Sequence, residues 1–211
     1  ETLGNYPFEE HIIETMNDAI RRHLKRGGIV IPGRLAQYVA PVVTDRFHTE
    51  LTAWERIGDG LDFTPAQEMS LNNIYVRTLT TGDLLDEGRS ARKWDEIDFS
   101  VQNRSSRKGE VRWSPDAGTT VYAFATWWVA ELVPGIELST APDAPRTHWE
   151  QLYFPLMRPV SVREGETIAI SLRSRTSVSS GTDVAWTVIR HDRSGRVQER
   201  QAMDLSKGYL P

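Results

Sequence analysis

Cysteine is absent from this 211-residue sequence, and that absence removes several kinds of chemistry. Without thiols the chain forms no disulfide, no thiolate metal site and no cysteine nucleophile. Long apolar runs are also missing, since none approaches the roughly 20 residues that a membrane-spanning helix needs. The first residues lack the basic-then-apolar pattern of a secretory signal. Together these absences predict a cytoplasmic protein with no membrane partner.

An excess of positive charge is missing as well. The formal net charge is -4 at pH 7, with 25 basic and 29 acidic residues, which disfavours a nucleic-acid partner bound over the whole surface. This net charge is compatible with a local acidic pocket that attracts a cationic substrate. The hydrophobic share of 39% and the charged share of 26% are ordinary for a chain that buries a core. The composition predicts one large domain, or one domain with a remnant of another.

Recognised metal and phosphate motifs are missing too. The five histidines are far apart and show no ligand spacing, so we expect no metal; they are His11, His23, His48, His148 and His191. Neither Gly27-Gly28 nor Gly58-Asp59-Gly60 lies between a strand and a helix, as a phosphate-binding or dinucleotide-binding loop requires. The chain also has no G-x-S-x-G nucleophile motif.

The clearest element that is present is a helix over residues 8–25. Its apolar side chains recur at a spacing of three and four, acidic residues crowd its start, and basic residues crowd its end, which complements the helix dipole. Gly27-Gly28 marks its end. Ile29-Val30-Ile31 then predicts a short buried strand that ends at Pro32-Gly33.

From Arg34 onward the pattern predicts strands. Many short strands with hairpin-like spacing favour a mainly β (α+β) fold, either a sandwich or a barrel. Turns are expected at clusters such as Arg107-Lys108-Gly109. The predicted strands are residues 35–43, 74–79, 96–102, 110–113, 119–132, 149–156, 166–173, 184–191 and 197–203.

One stretch, about residues 47–71, interrupts the strands. Leu51, Trp54 and Ile57 have helical spacing, and Thr64-Pro65 is typical of a second helix start. We expect a helical insertion that acts either as a lid over a site or as an interaction arm. Within the β region, Trp127 and Trp128 are adjacent on one strand and are therefore expected to point to opposite faces.

Two segments carry candidate site residues. Glu1 and Glu10 lie at the two ends of a loop that contains Gly4 and Pro7, and two converging carboxylates suit a guanidinium, whose rigid fork of donors takes bidentate partners. They could equally be solvated acids near a helix start. Thr147-His148-Trp149 joins a proline-broken turn to a strand. That segment could stabilise a turn, pack in the core or line the edge of a site.

Taken together, the two segments resemble a known family. Glu1-Thr2-Leu3-Gly4 with Glu10 is similar to the double-E loop of protein arginine N-methyltransferases. The run from Leu138 to Gln151, LSTAPDAPRTHWEQ, resembles the THW loop of that family with its lead-in. Gly27 to Pro32 resembles its G-[IVL]-[IVL]-x-P turn, and residues 47–71 fall where the family has a dimerisation arm. The resemblance covers essentially the whole chain.

The resemblance implies an architecture and a reaction. Residues 1–32 would be the last loop, helix and strand of a Rossmann-like domain that binds S-adenosyl-L-methionine (AdoMet), and residues 33–211 a β-barrel substrate domain. Glu1 and Glu10 would hold the guanidinium of an arginine substrate, with Thr147 and Trp149 lining the substrate site. His148 would close the pocket by pairing with an acidic residue outside this chain. The complete enzyme is expected to form a homodimer through the arm, and the present chain alone to be inactive and monomeric or weakly associated.

The sequence departs from the family pattern at three places. Thr2 replaces an aromatic residue, Ile12 replaces a methionine, and Arg146 stands where tyrosine is common before the THW motif. No glycine-rich AdoMet loop occurs in the chain. Two alternatives therefore remain open beside protein arginine methylation. One is a non-catalytic β-barrel interaction module, and the other is a methyltransferase acting on a small guanidino or amino compound.

Overall fold

Strands are the main regular elements of the structure, a computed structural model that describes residues 3–57, 60–179 and 181–207. Several of them alternate buried and more exposed side chains, as strands with one face on a core do. The mainly β expectation is confirmed. The strands are β1 (Arg34–Val42), β2 (Tyr75–Arg77), β3 (Arg92–Asp98), β4 (Ser106–Trp113), β5 (Thr119–Val133), β6 (Ile136–Ser139), β7 (Gln151–Val162), β8 (Thr167–Ser177), β9 (Gly181–His191) and β10 (Val197–Asp204).

The strands form two antiparallel sheets. The first has the order β2-β7-β5-β1-β3, with β6 also paired to β5, and the second has the order β10-β9-β8-β4. The long strand β5 is the centre of the first sheet, because it pairs with β1 along one edge and with β7 and then β6 along the other. The segment that joins β6 to β7 therefore starts and ends beside the same edge of β5.

The two sheets close around a shared core. Phe154 of β7 packs edge-on against Trp186 of β9, with ring centroids 5.2 Å apart, and the Trp186 indole donates to the Pro155 carbonyl across 3.2 Å. Between β3 and β4 the backbones approach closely. A Cβ at Gly109 would lie 2.0 Å from the carbonyl oxygen of Trp94, so only glycine fits there. This contact explains why Arg107-Lys108-Gly109 lies within β4 and is not the predicted turn.

The first sheet is buried on both faces. Trp128 is fully buried in the main core between the sheets, whereas its neighbour Trp127 packs in a second cluster with Phe47 and Tyr153 on the opposite face. The expectation that the two tryptophans point to opposite faces is confirmed. The second cluster lies beneath the helical insertion, so this insertion covers apolar surface that the sheet would otherwise expose.

The helical insertion contains two α-helices, α2 (Arg46–Leu51) and α3 (Thr64–Leu71). It is fixed at its base by Asp83, whose carboxylate accepts hydrogen bonds from both Nε and Nη2 of Arg46 at 2.8 Å. The hydroxyl of Thr44 also donates to Asp83 across 2.7 Å. Within the insertion, the Trp54 indole donates to Ser70 Oγ across 3.2 Å. None of the helices in the described part of the chain is long and apolar enough to cross a membrane.

The N-terminal helix α1 spans Ile12–His23, so it begins four residues later than predicted. His11 has a left-handed backbone with φ of 58°, which interrupts the helical path before Ile12. Phe8 is nonetheless buried, with 1% of its surface exposed. It reaches the core from the loop rather than from a helix.

The predicted strand Ile29-Val30-Ile31 is wrong. These residues have no strand conformation, and the side chains of Ile29 and Ile31 are 76% and 64% exposed. A strand needs a neighbour to hydrogen-bond with, and no strand of the described residues pairs with this segment. Only Val30 packs against the main core.

The bounds of β3 also differ from the prediction. The strand covers Arg92–Asp98 rather than residues 96–102, because the Asp98 carboxylate accepts the backbone N–H of Ser100 across 2.8 Å and starts a turn there. The short strand β6 is not among the predicted elements. It forms a hairpin with β5 through Gly135, whose φ is 83°.

Candidate functional site

The Thr147-His148-Trp149 segment belongs to the loop between β6 and β7. The loop is anchored at its start by Thr140, which exchanges hydrogen bonds with the backbone of Trp128 at 3.0 and 3.1 Å. At its end, Gln151 donates to the Thr140 carbonyl across 2.8 Å. Both anchors are buried, so the loop leaves and returns to the sheet at fixed points.

The three residues of the motif have different surroundings. Thr147 Oγ1 accepts the Trp149 backbone N–H across 3.2 Å and donates to the Trp149 carbonyl across 3.0 Å, so Thr147 shapes the turn. The His148 ring is exposed and lies over Trp149, with centroids 3.9 Å apart. Trp149 is half-buried and packs edge-on against Trp128, with centroids 5.3 Å apart. His148 therefore presents its ring to the surface from a rigid aromatic base.

This loop holds the N-terminal acidic loop, residues 3–11. The Trp149 indole donates to the carbonyl oxygen of Leu3 across 2.6 Å. The backbone N–H of Glu150 donates to Asn5 Oδ1 across 2.7 Å. The structure thus brings the double-E-like loop and the THW-like loop together, 146 and 145 residues apart in sequence.

Two further contacts hold the same acidic loop on the barrel. The Trp128 indole donates to the Gly4 carbonyl across 3.0 Å, and the buried Tyr6 hydroxyl donates to Ser174 Oγ of β8. Burial raises the pKa of Tyr6 well above its usual value, and the hydrogen bond with Ser174 only partly opposes this. Tyr6 therefore stays protonated and able to donate. Four consecutive residues, 3 to 6, are each hydrogen-bonded to the barrel.

Of the two acidic residues predicted for the site, Glu1 and Glu10, the structure describes only Glu10. Glu1 lies outside the described residues. Glu10 is at the end of the acidic loop, one residue before the left-handed His11, and its side chain is exposed. Glu10 follows the attached residues 3 to 6 by four positions, and the adjacent Glu9 is exposed as well.

Glu9 is a residue that the sequence analysis did not single out. Its carboxylate accepts the backbone N–H of Asn5, while desolvation and then the adjacent charge of Glu10 raise its pKa above the usual range. The side chain folds over Gly4 so closely that a Cβ there would lie 1.6 Å from Glu9 Oε1. Glu9 therefore makes a contact within the acidic loop itself. No sequence pattern indicated which of the two adjacent glutamates would make this contact.

The hydrogen bond from Trp149 leads to a testable expectation. Replacing Trp149 with phenylalanine keeps an aromatic ring but removes the indole donor to Leu3. We expect the local opening free energy of residues 3–11 to fall by about 1 kcal/mol, which speeds their amide hydrogen exchange about fivefold. Trp54→Phe is the matched control, because it removes a comparable indole hydrogen bond in the insertion. Equal protection of residues 3–11 in both variants would contradict the assignment.

Three parts make up the candidate site. They are the acidic loop, the loop that carries His148 and its aromatic base, and the barrel surface that joins them. No group of three potential metal ligands among histidine, aspartate and glutamate comes together within the described residues.

The sequence of this barrel matches a known family. A family model described as the arginine methyltransferase oligomerization subdomain covers residues 34–187, which is more than half of the chain. The chain belongs to this family. The arginine methyltransferase subdomain thus includes β1 to β8, most of β9, the insertion and the THW-like loop, while the acidic loop and α1 precede the matched residues.

Similar proteins agree with this assignment. Protein arginine N-methyltransferase 2 of Homo sapiens is 25% identical over 183 residues, which cover 82% of this chain and 42% of that protein. Arginine N(omega)-methyltransferase of Streptomyces achromogenes subsp. streptozoticus is 37% identical over 78 residues, which cover 36% of this chain and 22% of that protein. The chain therefore aligns with less than half the length of these relatives.

A solved structure shows the same fold. The Trypanosoma brucei PRMT1 enzyme-prozyme heterotetrameric complex with AdoHcy superposes with a TM-score of 0.82 over 97% of this chain and 66% of that chain, at 17% sequence identity. At this identity the match establishes the fold of the arginine methyltransferase subdomain. The resemblance inferred from the two loops is confirmed at the level of the family.

Proposed function

We propose that this chain forms the methyl-acceptor side of an AdoMet-dependent arginine N-methyltransferase. The observation that carries the proposal is the pair of hydrogen bonds from Trp149 and Glu150 to Leu3 and Asn5. They join the loop that ends in Glu10 to the loop that carries His148. Family membership and the names of the curated relatives support the same reaction class.

In this proposal the residues of the chain bind and orient the guanidinium. The exposed carboxylate of Glu10, together with Glu1, would accept hydrogen bonds from the guanidinium and hold positive charge away from the nitrogen that receives the methyl group. His148 and Trp149 would form the opposite wall and limit the substrate's rotation. Fixing the acceptor nitrogen in line with the donor is worth several kcal/mol in such a displacement, because it removes rotational freedom before reaction.

The described residues do not fit a cofactor site. No strand among them leads through a glycine-rich loop into a helix, and the loop before α1 carries Glu9 and Glu10. AdoMet, which supplies the methyl group, would therefore be held by a domain outside these 211 residues. We accordingly propose that the isolated chain does not transfer methyl groups. The Trypanosoma structure is a complex with AdoHcy, which supports AdoMet as the donor.

The helical insertion is proposed to dock on a second copy of the complete enzyme. Its exposed large apolar side chains include Ile57, Leu61 and Met69, which are 50%, 67% and 55% exposed. Apolar side chains clustered on one projecting element are typical of an interaction surface. The description of the matched family as an oligomerization subdomain supports this role.

The experiment that tests the proposed function is a methyl-transfer assay with an isotopically labelled AdoMet methyl group. The protein carrying its AdoMet-binding domain is incubated with an arginine-containing peptide, free arginine and a lysine-containing peptide. We expect label on one or both arginine substrates and none on the lysine peptide. Tight AdoMet binding without label on any guanidino compound would favour the non-catalytic interaction module.

One observation favours a small guanidino compound as a second candidate substrate. Arg146 lies on the loop that carries His148, and its side chain is 80% exposed. A cation at this position repels a second guanidinium or a basic peptide. The relative from Streptomyces is named for arginine itself rather than for a protein substrate, which is consistent with this candidate.

A further inference from the structure

A cavity of about 270 Å³ lies beside the loop that carries His148. One wall is the segment Thr78–Thr80 that follows β2, and the other is the loop from Thr140 to Gln151. Most of its polar side chains are engaged within the protein. Thr140 binds the backbone of Trp128, Thr80 binds Asp83, and Gln151 binds Leu79 and Thr140.

The mouth of this cavity carries one cation and one anion. Arg146 Nη2 lies 3.9 Å from Glu150 Oε1 and 3.4 Å from Thr78 Oγ1. The Thr78 hydroxyl donates to the Glu150 carboxylate. The Arg146 side chain is 80% exposed and that of Glu150 is 36% exposed. Arg146 and Glu150 form an ion pair at 3.9 Å, and because such surface pairs contribute little to stability, a ligand that carries both charges can replace the pair at low cost.

The cavity adjoins the proposed acceptor site. Trp149 lines the cavity, and its indole is bonded to Leu3 of the acidic loop. The backbone N–H of Glu150 is bonded to Asn5 of the same loop. Trp149 and Glu150 therefore border both the cavity and the acidic loop.

We propose that this cavity binds the α-amino-acid head group of free arginine, with the carboxylate on Arg146 and the ammonium on Glu150 and Thr78. The inference rests on the proposed function and names its substrate class. An arginine within a peptide has neither a free carboxylate nor a free ammonium, so Arg146 offers it only repulsion. The carboxylate and ammonium of free arginine can pair with Arg146 and Glu150 at the mouth of the cavity, while the guanidinium extends toward the acidic loop.

The test is equilibrium binding to the 211-residue chain, measured by titration calorimetry with three ligands. L-Arginine has both head-group charges, agmatine lacks the carboxylate, and Nα-acetyl-L-arginine lacks the ammonium. We expect agmatine and the acetylated compound each to bind about tenfold more weakly than L-arginine, since each loses one charged hydrogen-bonding group.

Three variants test which side chain binds the carboxylate of the ligand and which binds its ammonium. Arg146→Gln is expected to weaken the binding of L-arginine and Nα-acetyl-L-arginine about tenfold and not to weaken the binding of agmatine, which has no carboxylate for Arg146 to bind. Glu150→Gln is expected to weaken L-arginine and agmatine and to leave the acetylated compound unchanged. Arg175→Gln, an exposed arginine of β8, is the matched control and should change nothing.

Each result that differs from these expectations overturns either the head-group site or the proposed function. Agmatine binding as tightly as L-arginine, or an equal effect of Arg146→Gln on all three ligands, overturns the head-group site. The absence of binding for all three ligands at millimolar concentration overturns it too. Methylation of peptides but not of free arginine by the complete enzyme also overturns it, while the proposed function stands. Head-group binding without methylation of any guanidino compound overturns the proposed function instead.

Discussion

Replacing Glu10 with glutamine is expected to lower kcat for arginine methylation by about 10³-fold in the protein that carries its AdoMet-binding domain. The amide keeps the size of the side chain but removes the negative charge that would localise positive charge away from the acceptor nitrogen. The exposed position of Glu10 predicts that folding is unaffected, because surface substitutions usually change stability by less than about 0.5 kcal/mol. The measurement is single-turnover methyl transfer with saturating substrate, beside a thermal unfolding curve.

Two glutamate variants sharpen this result. Glu137→Gln, on the exposed face of β6, should leave kcat unchanged. Glu9→Gln should reduce kcat by less than about tenfold, because the Glu9 carboxylate is already engaged by the backbone N–H of Asn5 and folded over Gly4. The reverse ranking, with Glu9→Gln the more damaging, would mean that the guanidinium binds the other carboxylate and that the loop rearranges.

Replacing Asp83 with asparagine is expected to lower the free energy of unfolding at pH 7 by about 3 kcal/mol. The Asp83 side chain is 6% exposed and accepts hydrogen bonds from Arg46, Thr44 and Thr80. An amide nitrogen cannot accept any of these bonds, so the Arg46 guanidinium loses half of its bidentate partner. Denaturant unfolding measures the change, and Asp116→Asn in the exposed turn after β4 serves as the control.

The same carboxylate predicts a pH dependence. Burial alone would raise the pKa of Asp83, but the hydrogen bonds from Arg46, Thr80 and Thr44 outweigh it and hold the pKa well below the usual range. A depressed folded-state pKa stabilises the fold above the unfolded value of about 4, and this contribution is lost as the pH falls further. The stability difference between the parent and Asp83→Asn should therefore shrink between pH 4 and pH 2. A difference that stays constant over this range would contradict the role given to Asp83.

The sequence predicted the barrel well where a strand buries apolar side chains. β5 and β10 lie within one residue of their predicted ends; buried side chains alternate with exposed ones in β10, whereas β5 has a continuous buried run because both of its faces are covered. The prediction failed where a single long-range contact decides the structure. Gly109 resembles a turn residue in the sequence, yet it is the position where β4 touches the backbone of Trp94. Such a contact leaves no local pattern.

The candidate site was predictable only where its residues are consecutive in the sequence. Thr147, His148 and Trp149 were identified because their motif is short and continuous. The attachment of the acidic loop was not predicted, since it depends on Trp128, Asn5 and Ser174, which are distant in sequence and ordinary in type. Glu10 remains a prediction from the resemblance, supported by its exposed position at the end of the attached loop. Glu1 lies outside the described residues and remains a prediction as well.

Presenting an arginine guanidinium to a methyl donor is the central role that we assign to the acidic loop. The most direct test locates the transferred methyl group by tandem mass spectrometry, after reaction of the AdoMet-binding protein with arginine or an arginine peptide. We predict one or more methyl groups on guanidino nitrogens, lost in the Glu10→Gln variant. A methyl group found on any other atom, or guanidino methylation that persists unchanged in that variant, would contradict this role.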